Sequence, residues 1–233
     1  QPGTEAGQAG QIVCVSPPCC YDDTTGANTR ATVNFEIALN GQQYTTSGLS
    51  AVNFRFYDPP TVSSIDPLFG NFNERKDTTV HGTQIVETNE ITCKFGEEGD
   101  MVVDGTMRTA PGMEAVACET PIATLAGPVQ VTVSLNGQQY TSTSATYSYT
   151  PVLRAILPVR GLLSGGTNVT VAGMGFRETP GQMFCKFEHG PDSPALTSEA
   201  GWSSVVPVTG FGSKSVVYCS SPALNLTASG GST

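Results

Sequence analysis

The string Asn40-Gly41-Gln42-Gln43-Tyr44-Thr45 returns unchanged as Asn136-Gly137-Gln138-Gln139-Tyr140-Thr141, an offset of 96 residues. A fixed internal period means that one structural unit is used more than once, and it has to be found before any element is assigned. An alternating stretch precedes each copy, Val33-Asn34-Phe35-Glu36-Ile37 and Val129-Gln130-Val131-Thr132-Val133. Another follows each, Phe54-Arg55-Phe56 and Tyr147-Ser148-Tyr149. Period-two alternation puts Val129, Val131 and Val133 on one face of a strand, and Asn-Gly supplies the φ > 0 residues of a tight turn. Each unit therefore reads as a β-hairpin.

Outward from the hairpins the repeat continues. Pro60, Val62, Ile65, Pro67, Gly70 and Gly82 are answered by Pro151, Leu153, Ile156, Pro158, Gly161 and Gly173, each pair 91 residues apart. The five-residue difference between the two offsets places an insertion in the first copy between Tyr44 and Pro60, a loop-length change that sandwiches tolerate. Cys93-Lys94-Phe95 is answered by Cys185-Lys186-Phe187, and Cys118-Glu119-Thr120-Pro121 by Cys219-Ser220-Ser221-Pro222. That last motif occurs a third time as Val13-Cys14-Val15-Ser16-Pro17. The order of blocks predicts residues 1–58 as the C-terminal part of one repeat, 59–150 as a complete repeat and 151–233 as the N-terminal part of a further one. Such ragged ends read as a piece of a longer array.

Composition agrees. A chain of 233 residues suits about two domains of ordinary size. Only 13% of residues are charged, while 26 Gly and 16 Pro mark a many-turned β protein without long amphipathic helices. A net charge of −9 repels phosphate backbones, so no nucleic-acid partner is expected. No apolar run approaches the ~18 residues that span a bilayer, so this segment is not expected to insert into a membrane. Gln1 to Gly10 are neither basic nor hydrophobic enough for a signal peptide. Seven cysteines point to an oxidising compartment, and hence to an extracellular or cell-surface protein. A zinc site needs paired ligands at close spacing. His81 and His189 lack them, apart from Cys185 four residues before His189, and no metal or cofactor is expected.

The stretch Pro151-Val152-Leu153-Arg154-Ala155-Ile156-Leu157-Pro158, then Gly161, then Gly165-Gly166-Thr167-Asn168-Val169-Thr170-Val171-Ala172-Gly173-Met174-Gly175-Phe176, resembles the IPT/TIG family. These are immunoglobulin-like domains shared by plexins, related receptors, some transcription factors and many large surface proteins. The resemblance covers nearly the whole chain, because the Cys-Lys-Phe, Cys-x-x-Pro and hairpin blocks fall in family order. The middle copy departs from it: Glu74-Arg75 replaces the double glycine, and Gly82-Thr83-Gln84-Ile85 replaces the Gly-x-Gly-Phe end. That departure leaves the shape of the turn open. The resemblance implies a seven-strand sandwich, and the short alternating runs agree. The expected fold is all-β, with tandem immunoglobulin-like β-sandwiches joined by short Pro-containing junctions. Tyr57-Asp58-Pro59-Pro60 and Tyr149-Thr150-Pro151 leave almost no linker, and proline stiffens what remains, so neighbouring domains are expected to form a rod.

By the same repeat logic Cys93 pairs with Cys118 and Cys185 with Cys219, each bridge contributing about 2–4 kcal/mol. Cys14 would pair upstream, leaving Cys19 and Cys20 outside the repeat. Two readings stay open for these three: a cross-link to another segment or subunit, or a local bridge such as Cys14 to Cys20. Asn168-Val169-Thr170 and Asn225-Leu226-Thr227 match the N-glycosylation pattern, and Asn168 is expected to face solvent because Val169 and Val171 point inward. Glu97, Glu98, Asp100 and Asp104 are a candidate calcium cluster but lack the spacing of a calcium loop, and they read better as a solvated hairpin tip. Asp22 and Asp23 read the same way. No catalytic residue is assigned, since His81 and His189 offer no supported nucleophile–base pair. Trp202 and Val205, Val206 and Val208 read as packing.

The expectation is a non-enzymatic extracellular structural or adhesive protein, stacked as a rod or a surface filament. The Gly-, Ala-, Pro- and Thr-rich composition is compatible with a cell-surface or ciliary coat protein of a single-celled eukaryote. Its partners would be other protein chains or further copies of itself, with glycans as another candidate class. Two alternatives are a receptor ectodomain binding a protein ligand and an accessory module of a secreted carbohydrate-active enzyme. One sandwich hosts many functions, so the fold alone does not select among them.

Overall fold

The computed structural model describes residues 4–5, 12–18, 32–45, 52–97, 101–110, 113–188 and 203–224. Two small antiparallel pairs come first, β1 (Thr4–Glu5) with β2 (Ile12–Val13) and β3 (Thr32–Asn34) with β4 (Asn53–Arg55).

Between Thr61 and Thr150 the described residues form eight strands in two layers. One layer contains β5 (Thr61–Asp66), β7 (Asp77–Thr83), β10 (Met113–Glu119) and part of β9 (Val102–Ala110). The other contains β8 (Thr92–Phe95), β11 (Gly127–Ser134), β12 (Ala145–Thr150) and β6 (Phe69–Asn71). All pairings are antiparallel except β12 with β6. The eighth strand, beyond the seven expected, arises because the first strand is divided. Pro67 has no N–H to extend the ladder, and the chain leaves β5 in one layer to enter β6 in the other. Leu157-Pro158 repeats the cis peptide bond of Asp66-Pro67.

Alternation fills the space between the layers. Thr78 and Val80, Cys93 and Phe95, and Ala145, Tyr147 and Tyr149 all point inward and are buried. Phe95 meets Tyr147 edge to face at 5.8 Å, an arrangement the ring quadrupoles favour. The buried Thr78 hydroxyl donates to the Cys118 carbonyl at 2.8 Å, as a polar group in a core must. At one corner a single strand closes the sandwich: Val102–Asp104 of β9 pair with β8, and Gly105–Ala110 pair with β10. Gly105 sits at the crossing, where a Cβ would lie 2.8 Å from Val116 and 2.9 Å from Ile91.

From Val152 the plan repeats. β13 (Val152–Leu157), β14 (Asn168–Met174), β17 (Val216–Ser220), β16 (Ser203–Ser213) and β15 (Phe184–Glu188) are neighbours in that order, matching β5, β7, β10, β9 and β8. β16 switches layers as β9 does, pairing with β15 over Ser203–Pro207 and with β17 beyond. Both sandwiches also bulge at the equivalent place in the first strand, between Val62 and Ser64 and between Leu153 and Ala155. Opposite the bulges lie Gly82 and Gly173, where the partner carbonyls of Thr61 and Val152 leave no room for a Cβ.

The two hairpins also match in detail. Asn40 Oδ1 accepts from the amides of Gln42 and Gln43 at 3.0 Å, and Asn136 Oδ1 from those of Gln138 and Gln139 at 3.1 Å. Gly41 and Gly137 take φ values of +74° and +68°. The turn differs from a two-residue connection, because Ser134 bridges to Tyr140 across five residues. Asparagine therefore caps the loop with its side chain, and only glycine is left-handed.

Candidate functional site

The first place where the repeats meet is a junction of one residue, since β12 ends at Thr150 and β13 begins at Val152. Val152 and Met174 of the second sandwich pack against the core of the first. The Ala126 amide donates to the Gly175 carbonyl at 3.0 Å. Gly175 itself is left-handed at φ +79°, and a Cβ on it would stand 2.6 Å from the buried ring of Phe72. The junction is thus a packed interface. Sequence reasoning took Gly175 as part of a turn signature and missed its contact with Phe72, because neither residue's pattern announces a partner in another domain.

The second feature is an apolar face on the second sandwich. Val62 and Ile65 are 5% and 2% exposed, whereas their counterparts Leu153 and Ile156 are 64% and 44% exposed. In the first sandwich β11 and β12 cover that position, with Val131, Val133 and Tyr147 buried against it. Among the described residues the second sandwich has no equivalent hairpin. Beside this face lies a cleft of about 740 Å³, lined by Leu153, Ile156, Phe176 and Phe187 of the second sandwich and by Pro128 and Tyr149 of the first.

Cys93 of β8 is bonded to Cys118 of β10, and Cys185 of β15 to Cys219 of β17. Each bridge ties one layer to the other. Cys14 is exposed and carries a free thiol. Cys19 and Cys20 lie outside the described residues. Asn168 is exposed at the start of β14, with Val169 and Val171 buried beside it; Asn225 lies outside the described residues.

Glu97 and Asp104 are exposed around the loop joining β8 to β9. Asp22, Asp23, Glu98, Asp100, His189 and Trp202 fall outside the described residues. His81 is half-buried on the outer side of β7. Val206 and Val208 pack against the second core, while Val205 is exposed on the other face of β16. Among the described residues no three metal-ligating side chains cluster, and no helix is long and apolar enough to cross a membrane. Burial pushes the Tyr57, Tyr147 and Tyr149 hydroxyls above the ordinary tyrosine range. Tyr149 donates to the Pro121 carbonyl at 2.8 Å.

Repeated two-layer sandwiches, an inter-layer disulfide in each and a strand that changes layers define tandem immunoglobulin-like modules. The IPT/TIG domain matches residues 60–149 and 151–232, and the chain belongs to that family. Fibrocystin-L of Homo sapiens is 32% identical over 138 residues, which is 57% of this chain. The chain spans only 3% of that relative's length. Among solved structures, the full extracellular region of plexin A4 aligns over 76% of this chain and 14% of its own, at 17% identity and a TM-score of 0.31. FdeC, an Escherichia coli adhesin, aligns over 83% of this chain and 66% of its own, at 10% identity and a TM-score of 0.33.

Proposed function

We propose that this chain is a non-enzymatic stretch of an extracellular structural or adhesive protein, in which sandwiches stack end to end as a rod. The packed one-residue junction carries this reading. A flexible linker would let each domain act alone, whereas Pro151, the Phe72–Gly175 contact and the shared core hold two neighbours in one orientation. Leu163, 91 residues after Phe72, stands exposed where Phe72 fills the junction. That is the surface a further module in the same array would use.

On this reading residues 59–150 form one whole repeat. Residues 1–58 carry the back part of another and residues 151–233 the front part of a third. The disulfides belong to an oxidising compartment, and Asn168 is an accessible glycan acceptor. The receptor alternative would need an apolar patch peculiar to one domain. The patch on the second sandwich is instead the counterpart of a face that is covered in the first, which favours the array. A ciliary coat is one setting for such a rod.

Small-angle scattering of the full chain, with non-reducing peptide mapping of protein recovered from the cell surface, tests the proposal. The expected result is an elongated particle carrying both bridges and a glycan on Asn168. Gly175→Asp should loosen the particle by driving Phe72 from the junction. A compact or freely jointed particle, or free thiols throughout, would overturn it.

A further inference from the structure

We propose that Asn136-Gly137 is a self-modifying bond, which closes to a succinimide and reopens to isoaspartate and aspartate, and that the isoaspartate uncaps the loop between β11 and β12. Asn40-Gly41 is the same site in the preceding module. This modification stands independently of the array reading.

Asparagine is chemically labile, and the residue after it decides how labile. The nucleophile is the backbone nitrogen of that next residue, and glycine, with no Cβ, leaves it open to the asparagine side chain. Every asparagine of the chain other than Asn40 and Asn136 precedes a residue with a side chain, as Asn34, Asn71 and Asn168 precede Phe35, Phe72 and Val169. Gly137 is exposed and left-handed at φ +68°, and a Cβ built on it would meet only the Glu90 carbonyl, at 3.9 Å. The bond is therefore open to water.

Hydroxide removes the Gly137 amide proton, and the nitrogen attacks Asn136 Cγ. A new C–N bond forms, the Cγ–Nδ2 bond breaks, and Nδ2 takes a proton from water and leaves as ammonia. Water then opens the five-membered ring at either of its carbonyls. Opening at Cγ gives aspartate. Opening at the backbone carbonyl gives isoaspartate, whose chain runs on through Cγ and whose former backbone carbonyl is now a free carboxylate.

The loop depends on the group that reacts. Asn136 Oδ1 accepts from the amides of Gln138 and Gln139, and Nδ2 donates to Gln139 Oε1. Aspartate restores the acceptor. Isoaspartate instead lengthens the backbone by one atom inside the short loop that Ser134 and Tyr140 close. Asn136, Gln139 and Tyr140 also line a cavity of about 360 Å³ with Tyr57, Pro59 and Pro60, so the altered loop faces the junction with the preceding module.

One hydroxyl sets the two loops apart. Ser134, fully buried, donates to Asn136 Oδ1 at 3.1 Å and accepts from the Asn136 amide at 3.3 Å. Ala38 stands at its place in the other copy. The Ser134 bond holds the reactant amide in its capping position and is lost as the ring closes, so it slows conversion about two- to tenfold, the worth of one hydrogen bond.

Ageing the intact 233-residue chain in mildly alkaline buffer, beside a sample in urea, tests the proposal by peptide mapping and isoaspartyl methyltransferase labelling. Isoaspartate is expected in the folded chain at Asn136 and Asn40 and not at Asn34, Asn71 or Asn168. Its rate should rise with pH, because the attacking nitrogen must lose its proton. Ser134→Ala should speed conversion at Asn136 about two- to tenfold in the folded chain and leave it unchanged in urea, and Ala38→Ser should slow Asn40 by the same factor. Asn136→Asp, which keeps the acceptor, should hold the parent's urea midpoint, whereas the isoaspartate fraction should unfold at lower urea. A folded chain free of isoaspartate while its urea sample accumulates it overturns the proposal. So does equal conversion with and without the Ser134 hydroxyl, or an isoaspartate fraction that keeps the parent's midpoint.

Discussion

Gln84 and Gly175 occupy the same place in their repeats, 91 residues apart, and both are left-handed, at φ +59° and +79°. The residues that follow, Ile85 and Phe176, are both buried. The first sandwich therefore keeps the turn of the Gly-x-Gly-Phe motif although glutamine replaces its second glycine. An L side chain in that region costs about 1–2 kcal/mol, partly offset by the larger unfolded-state freedom of glycine. Gln84→Gly should raise stability by about 0.5–1 kcal/mol in urea unfolding. Gly105→Ala should act oppositely and cost about 1–3 kcal/mol, because its Cβ enters a filled core between Val116 and Ile91. An unchanged unfolding midpoint for Gly105→Ala would mean that the layer crossing is looser than its contacts imply.

Among the elements, the disulfide-bonded strands separate the two sandwiches most clearly. Cys93 and Cys118 are buried between the two layers, whereas Cys185 on β15 is half-buried and lines the cleft. Access governs thiol attack on a bridge. Graded reduction followed by alkylation should therefore label Cys185 and Cys219 before Cys93 and Cys118. Replacing Cys93 and Cys118 together by alanine releases a loop with a sequence separation of 25, and should lower stability by about 3 kcal/mol in denaturant unfolding. The two hairpins share one loop because it is closed locally, by Asn136 and Asn40 onto the amides that follow them.

For the molecule as a whole, the core tyrosines set the alkaline limit. Burial raises the Tyr147 and Tyr149 values, so the folded chain holds protons that the unfolded chain releases near pH 10. Stability is then flat up to about pH 10 and falls as pH rises through the raised values. Tyr149→Phe should cost about 1 kcal/mol at neutral pH, by losing the bond to the Pro121 carbonyl. It should also make the alkaline loss shallower. Urea midpoints at neutral pH and near pH 11 check both signs, and a parallel shift at the two values would remove the tyrosine from the explanation.

The repeat, the inward positions of the hairpin strands and the all-β class were legible in the amino-acid order. Each depends on side-chain alternation or on local backbone freedom, and those operate over a few residues. The division of the first strand at Pro67 and the passage of β9 between layers were not legible. Nothing local distinguishes a strand that ends from one that changes partner. The contact of Phe72 with Gly175 and the contrast between a covered Ile65 and an open Ile156 belong to the tertiary structure alone. Burial is a property of what lies opposite, and the same apolar residue is core or surface according to whether a hairpin stands over it.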